Sequence, residues 1–201
     1  MRIAQYKAFD EFPKEVQDVL NYADIGFTTK DILYLHNLYI TGKADKNELI
    51  KLLKQKESWL LMTSGLKMYR RDNGIQSLVV GVSGGIDSAV VSTLCALTGS
   101  PTHVVSMPIK QKMGQHALSI EHCDKLSERF NNVHHITKDL TKIFETFEDK
   151  FDDMNNDLAF ANTRARLRMT ALYQIAQFNN GIVVGTGNKV EDFGVGFFTK
   201  Y

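Results

Sequence analysis

The sequence predicts an α/β protein, a doubly wound parallel sheet flanked by helices, with a helical N-terminal appendage. Two observations lead to this prediction. After residue 56, short apolar runs rich in β-branched residues alternate with helical patterns of ten or more residues, which is typical of a parallel sheet with right-handed crossovers. Residues 9–56 carry only helical periodicity. We therefore expect two domains, a helical appendage at 1–56 and an α/β domain at 57–201.

The elements follow in order along the chain. Within the appendage, breaker and cap residues at 26–31 and 41–45 separate short, partly amphipathic helices. A helix is expected from 57 to about 71, ahead of the turn at Asn73-Gly74. The expected strands are 78–82, 102–108, 133–136 and 181–186, and the helices that lie between them are 87–98, 115–130, about 140–151 and 155–178.

Composition disfavours several functions. With 24 basic and 23 acidic side chains the net charge is +1, which does not favour a nucleic-acid partner. No apolar run suits a signal peptide or a membrane span, so we expect a cytoplasmic protein without a membrane partner. Cys95 and Cys123 lack metal-type spacing and fall in expected helices, which indicates buried free thiols. None of the six histidines has the i, i+4 spacing of a zinc site.

The most informative segment is the turn that follows the first strand. It consists of Gly81, Val82, Ser83, Gly84, Gly85, Ile86, Asp87 and Ser88. The helix after the turn points free N–H groups and its positive dipole end at any anion above it. Gly84 and Gly85 lack a Cβ, so their backbone can adopt positive φ and approach phosphate oxygens closely, and the two serines add hydroxyl donors. The segment therefore predicts a pyrophosphate-binding site.

Asp87 refines this prediction. A lone carboxylate in the first helical turn would repel phosphate unless a divalent metal lay between them, which implies Mg²⁺. No lysine follows Gly85, so the common NTPase phosphate loop, and with it kinase or GTPase chemistry, is disfavoured. The alternative interpretation is a tight βα turn with a capping aspartate.

A second polar segment, residues 185–192, follows the last expected strand. It contains Thr186 and Glu191. Because the carboxyl ends of parallel strands share one edge, Ser83 and Thr186 should lie on the same rim. There Asp87 and Glu191 could hold one Mg²⁺ between them while Thr186 reaches a nucleotide. The alternative is an ordinary polar loop with a helix cap.

Residues 81–88 resemble the Ser-Gly-Gly-x-Asp-Ser loop of the ATP pyrophosphatases, which transfer AMP to a carbonyl oxygen and release pyrophosphate. Three further blocks are similar, in order and approximate spacing, to those of the NAD synthetases. They are Asn162–Met169, Gly185–Glu191 and Phe197–Tyr201. The resemblance extends from about Ser77 to Tyr201 and implies the adenine nucleotide α-hydrolase-like fold.

The resemblance also implies roles for single residues. Residues 81–88 and Thr186 would bind ATP, and Asp87 and Glu191 would hold Mg²⁺. Arg166 and Lys200 fall on positions that contact deamido-NAD in the family, and no covalent nucleophile is expected. Arg164, Arg166 and Arg168 also fit a solvated helix face, and since i, i+2 positions point to nearly opposite sides, at most one or two of them can share a site.

The activity implied is the final step of NAD biosynthesis, the ATP-dependent amidation of deamido-NAD with ammonia through an adenylated nicotinate carboxylate. The family resemblance further suggests a homodimer and a C-terminal segment that continues beyond Tyr201. The N-terminal fifty or so residues are too short for a glutamine-hydrolysing domain, which is why ammonia is the expected donor. Two alternatives remain open: a tRNA-modifying or GMP-forming ligase of the same superfamily, and a nucleotide-binding protein without catalysis.

Overall fold

A computed structural model describes residues 10–22, 28–110, 113–188 and 190. The chain forms two compact units, residues 1–65 and residues 66–201. Each unit has a hydrophobic core of its own. Within the described residues, no helix is both long enough and apolar enough to cross a bilayer.

The first unit is helical, as its sequence periodicity predicts. Helix α1 spans Lys14–Tyr22, helix α2 spans Thr29–Ile40, and helix α3 begins at Lys46. Thr28 and Asp31 form a reciprocal capping box that fixes the start of α2. Apolar side chains from all three helices and their connections bury one another in a single cluster: Phe12, Val16, Leu20, Ile32, Leu35, Ala44, Leu49 and Leu53.

Helix α3 is longer than the sequence patterns indicate. It runs without interruption from Lys46 to Asp72 and so passes through residue 56, where the expected domain boundary lies. The segment contains no proline, and its one glycine, Gly65, costs too little helix stability to end it. The division between the two compact units falls between residues 65 and 66, and a domain boundary at residue 56 stays a prediction.

The second unit contains the predicted parallel sheet. Strands β1 (Ser77–Gly81), β2 (Thr102–Ser106), β3 (Val133–Thr137) and β4 (Gly181–Val183) lie in the order β3-β2-β1-β4, and all neighbours are parallel. The helices between them are α4 (Ile86–Leu97), α5 (Met113–Arg129), α6 (Thr141–Lys150) and α7 (Asp157–Phe178), with a 3₁₀ turn at Asp152–Met154. The fold class predicted from the sequence is confirmed.

Both faces of the sheet are covered by helices. On one face, Val79 and Val105 pack with Phe144 of α6 and Phe160 of α7. On the other face, Val80 packs with Cys95 of α4, and Val104 packs with Cys123 of α5. Successive strand residues therefore point into opposite cores, as a doubly wound sheet requires.

The two cysteines are buried free thiols, as predicted. Burial raises the pKa of both Cys95 and Cys123 to about 12, so neither thiol forms a thiolate at neutral pH.

Candidate functional site

The turn between β1 and α4 has the geometry of an anion cradle. Strand β1 ends at Gly81, and Gly84 adopts a φ of +88°, a left-handed conformation that only glycine adopts readily. Gly85 differs from the expectation, because its φ is −89° and it serves as the N-cap residue of α4. No side chain caps that helix among the described residues, so its first-turn amides stay directed at the space above the turn.

Two serine hydroxyls hold this turn in shape. The Ser88 Oγ accepts a hydrogen bond from the Ser83 amide at 3.2 Å and donates to the Gly85 carbonyl at 2.9 Å. The Ser83 Oγ lies 3.1 Å from the Ser88 Oγ and accepts from the Gly85 amide at 3.2 Å. Ser88 is buried beneath the turn, while Ser83 is exposed. The two serines therefore fix the backbone of the turn, and the Ser83 side chain faces solvent.

A buried network supports the turn from the side of α5. The Ser119 Oγ donates to the carbonyl of Val82 at 2.8 Å and is hydrogen-bonded to the Ser106 Oγ at 2.9 Å. All three residues are buried. These bonds satisfy a backbone carbonyl where the sheet ladder ends, and they connect the turn to β2 and to α5.

Asp87 lies in the first turn of α4 and is half-buried. Its Oδ2 accepts a hydrogen bond from the Asn188 Nδ2 at 3.3 Å, and the Asn188 Oδ1 accepts from the Val190 amide at 3.0 Å. This contact joins the glycine-rich turn to the segment after β4. Within the described residues, no three His, Cys, Asp or Glu side chains converge to hold a metal ion. Mg²⁺ is commonly held by one or two carboxylates together with substrate phosphates and water, so Asp87 fits that role.

A cavity of about 490 Å³ opens beside the turn at the carboxyl ends of β1 and β4. Its lining includes Ser83 and Thr186, which confirms that these two residues share one rim. Its lining also includes the apolar side chains of Met107 and Leu172. A Cβ at Gly81 would lie 3.1 Å from a Leu172 methyl group, so the absence of a side chain there lets α7 pack closely on β1. The cavity thus has both polar and apolar lining residues, which suits a nucleotide.

The three arginines of α7 have different environments. Arg168 lines the cavity, and its Nε donates to the Met107 carbonyl at 2.9 Å. The Arg164 guanidinium lies over the Phe144 ring, 5.2 Å from its centroid, and borders a separate cavity of about 500 Å³ whose other lining residues include Glu148, Asp149, Asp152 and Asp157. Arg166 is exposed and is not among the residues that line the 490 Å³ cavity.

Burial lowers the pKa of the Arg168 guanidinium below its usual value, and the nearby charge of Arg164 adds to the shift. The side chain remains protonated at neutral pH, because an arginine guanidinium is not deprotonated in proteins. It therefore places a positive charge, partly removed from water, on the wall of the cavity.

The structure brings most of the predicted site residues together. Gly81, Val82, Ser83 and Thr186 line one cavity, and Gly84 to Ser88 complete the adjoining turn. Glu191 and Lys200 lie outside the described residues, so a shared Mg²⁺ site at Asp87 and Glu191 stays a prediction, as does contact of Arg166 with deamido-NAD.

Sequence reasoning did not identify Arg168 as a cavity residue. The sequence contains a partial signal, because Arg168, Leu172 and Ala176 are spaced by four residues and share one side of α7. Leu172 and Ala176 both belong to the core on that face of the sheet. Arg166 lies about 200° around the helix from Arg168, since each residue turns it by about 100°.

Comparison with known proteins identifies related sequences. The profile of the family described as NAD synthase matches residues 59–201. The chain is 36% identical over 137 residues to an NH(3)-dependent NAD(+) synthetase from Wolinella succinogenes, covering 68% of this chain and 51% of that protein. It is 34% identical over 153 residues to one from Mycoplasmopsis pulmonis, covering 76% and 56%. The chain thus spans just over half the length of these curated relatives.

Two solved structures have folds similar to that of this chain. A structure described as NMN synthetase from Francisella tularensis superposes with a TM-score of 0.66 at 33% identity, covering 72% of this chain and 59% of that one. An NH3-dependent NAD synthetase from Campylobacter jejuni gives a TM-score of 0.64 at 26% identity, covering 72% and 61%.

Proposed function

The chain belongs to the NAD synthase family, and from that membership and the geometry of the cleft we propose that it catalyses the ATP-dependent amidation of deamido-NAD with ammonia. The observation that carries this proposal is the turn before α4, in which Gly84 adopts a positive φ and Ser83 lines the same cavity as Thr186. A family match alone would leave the site undefined. The turn and cavity supply a place for a polyphosphate and for the nucleoside attached to it.

We propose that residues 81–88 hold the phosphates of ATP. The amides at the start of α4 point at the turn, and the positive end of the helix dipole favours negative charge there. When pyrophosphate leaves, its charge would develop next to donors that are already oriented, so little reorganisation is needed. Hydrogen bonds of Ser83 and Ser88 hold the turn in this arrangement.

Asp87 would bind Mg²⁺, with Glu191 as the second carboxylate. Bound there, Mg²⁺ would neutralise negative charge on the phosphates. Within the described residues, Asn188 donates a hydrogen bond to one oxygen of the Asp87 carboxylate, and the other oxygen would bind the cation. This arrangement resolves the repulsion that a bare carboxylate beside phosphate would cause.

The chemistry proposed has two steps. A carboxylate oxygen of the acid substrate attacks the α-phosphorus of ATP, the bond to pyrophosphate breaks, and an acyl adenylate forms. Ammonia then attacks the acyl carbon, AMP leaves with that carboxylate oxygen, and the nitrogen loses a proton to give the amide. No covalent bond to a protein side chain is required in either step.

An isotope experiment tests the proposal directly. The acid substrate is labelled with ¹⁸O in its nicotinate carboxylate and incubated with the protein, ATP, Mg²⁺ and ammonium. The proposal predicts one ¹⁸O in AMP, none in pyrophosphate, and amide formation that depends on ammonium. Formation of ADP with labelled inorganic phosphate would instead show an acyl-phosphate route and contradict the adenylate.

The similarity to the NMN synthetase structure supports a second candidate substrate. In that case the chain would amidate the acid form of the mononucleotide, and the same adenylation would apply. Paired measurements of kcat/KM for the mononucleotide acid and for deamido-NAD distinguish the two candidates. A preference of tenfold or more for the dinucleotide, on the order of 1.4 kcal/mol, is the result that our first proposal predicts.

A homodimer is part of the proposal on the strength of the family resemblance. Sedimentation equilibrium with and without substrates measures it, and a chain that stays monomeric at every concentration and ligand condition would contradict it.

A further inference from the structure

Arg168 is the one charged side chain among the described residues that line the 490 Å³ cavity. The remaining lining residues are apolar side chains, glycines, Ser83, Thr186 and Tyr173. Family resemblance assigns substrate contact to Arg166, on a different side of the same helix. The cavity therefore contains a cation that the proposed mechanism has not used.

The attachment of Arg168 determines which part of its guanidinium is available. The Nε is engaged by the Met107 carbonyl at 2.9 Å, a bond between α7 and the residue directly after β2. That bond uses one of the five N–H groups and restrains the plane of the guanidinium. The two terminal nitrogens carry the other four N–H groups, a pattern that matches two oxygens of a phosphate.

Within the described part of the chain, no carboxylate lies within ion-pair distance of Arg168. Its neighbour Arg164 is also cationic and opposes its charge. A half-buried cation without a carboxylate partner is stabilised when a ligand supplies the negative charge. The cavity wall is thus arranged for an anionic group.

We infer that Arg168 binds the α-phosphate of a nucleoside 5′-phosphate in this cavity, an inference that rests on the proposed use of ATP. The turn at residues 83–88 would hold the outer phosphates that leave as pyrophosphate. Arg168 would hold the phosphate that stays with the nucleoside and later departs as AMP. The two sets of donors would therefore bind the phosphates on opposite sides of the bond that breaks.

Calorimetry with three ligands tests this division. Adenosine, AMP and ATP are titrated into the full 201-residue chain and into its Arg168→Ala and Arg168→Lys variants. Replacing Arg168 by alanine should weaken AMP binding by about 10- to 100-fold, the usual range for a charge-assisted hydrogen-bond pair, and leave adenosine binding within about twofold. Arg168→Lys should recover part of the AMP affinity, because the charge remains and the planar fork is lost.

Arg164→Ala is the matched control, since it removes a positive charge one turn away on the same helix but outside this cavity. It should change AMP affinity by less than about threefold, which separates direct contact from the general field. Thermal unfolding followed by circular dichroism checks that every variant is folded. Equal weakening of adenosine and AMP would overturn the inference in favour of contact with the base, and unchanged AMP affinity in folded Arg168→Ala would overturn it outright.

These titrations contain no acid substrate and no ammonia, so the inference can fail while the amidation proposal stands. If the wild-type chain binds AMP no more tightly than the Arg168→Ala variant, the inference is contradicted and the amidation proposal is not. A wild-type chain that binds none of the three ligands contradicts the proposed use of ATP itself.

Discussion

The β1–α4 turn and helix α7 border the same cavity, but they are held in place by different kinds of contact. Within the turn, hydrogen bonds of Ser83, Gly85 and Ser88 join residues no more than five positions apart, and the Ser119 hydroxyl of α5 supports the turn at the Val82 carbonyl. Arg168 is held by a bond to Met107, 61 residues earlier in the chain, and by packing of α7 on the sheet. The conformation of residues 83–88 is therefore set largely by local hydrogen bonds, whereas the position of the α7 wall depends on contacts across the domain.

This difference predicts different responses to substitution. Changes on the exposed side of the turn should reduce ligand binding while the fold survives, because few long-range contacts depend on those atoms. Changes in the bonds that join α5 or α7 to the sheet should reduce stability as well. The predictions below test that distinction, from the largest effect to the smallest.

Asp87→Asn should abolish synthesis, with a loss of at least about 100-fold in turnover, because removal of one ligand charge weakens Mg²⁺ binding. The melting temperature should change little, since Asp87 is not part of a core cluster. Asp157→Asn is the matched control, because Asp157 also lies in the first turn of a helix but borders a different cavity. Unchanged ATP affinity and turnover in the Asp87→Asn variant would contradict the proposed role of Asp87 in binding Mg²⁺.

Gly84→Ala should weaken ATP binding by about 10- to 100-fold, because a residue with φ near +88° loses its preferred conformation when it gains a Cβ and the amides of the turn shift. The variant should also lose about 1–2 kcal/mol of stability. Gly99→Ala is the control, since Gly99 has a φ of +70° with open space around it and lies after the far end of α4. Gly99→Ala should show a similar loss of stability with unchanged ATP affinity. An equal decrease in ATP affinity in both variants would contradict a specific role of the Gly84 turn in ATP binding.

Arg166→Ala should raise the KM for deamido-NAD about tenfold and leave the KM for ATP nearly unchanged, if this arginine contacts the dinucleotide as the family resemblance implies. Saturation curves for both substrates measure the two constants. Equal increases for both substrates would point to a structural role or to a phosphate contact that the two substrates share. The result therefore shows whether the two sides of α7 serve different ligands.

Ser119→Ala should lower the free energy of unfolding by about 1–3 kcal/mol, because it leaves the buried Val82 carbonyl and the Ser106 hydroxyl without this partner. Ser127→Ala on the same helix removes only a bond to the Cys123 carbonyl one turn earlier and should cost less than about 0.5 kcal/mol. Denaturant unfolding measures both values. Equal decreases in the free energy of unfolding for the two variants would show that the Ser119 bonds to Val82 and Ser106 stabilise the protein no more than the Ser127 bond does.

The fold and the turn could be predicted because their signals are local. The β-branched runs 78–82 and 102–108 mark strands by themselves, and a glycine-rich turn before a helix indicates an anion site without knowledge of the rest of the chain. The local sequence could not predict which of Gly84 and Gly85 adopts a positive φ. Either glycine can adopt positive φ, and the serine hydrogen bonds and the start of α4 decide which one does.

Two features required the folded chain. Helix α3 is long because every residue from Lys46 to Asp72 is compatible with a helix. The apolar pattern does not indicate whether the helix ends or continues at residue 56. The orientation of the α7 arginines depends on which side of the helix packs on the sheet. Spacing alone shows that Arg164 and Arg168 share a side opposite to Arg166, but not which side faces the cavity.

Hydrogen exchange measured residue by residue, with and without ATP and Mg²⁺, tests the central claim that the turn and the β4 rim form one nucleotide site. The account predicts that amides of residues 83–88 and of residues 184–188 gain protection together, and that amides of α2 in the first unit do not change. Protection that rises in only one of these two segments, or an unchanged pattern at saturating ATP, would contradict it.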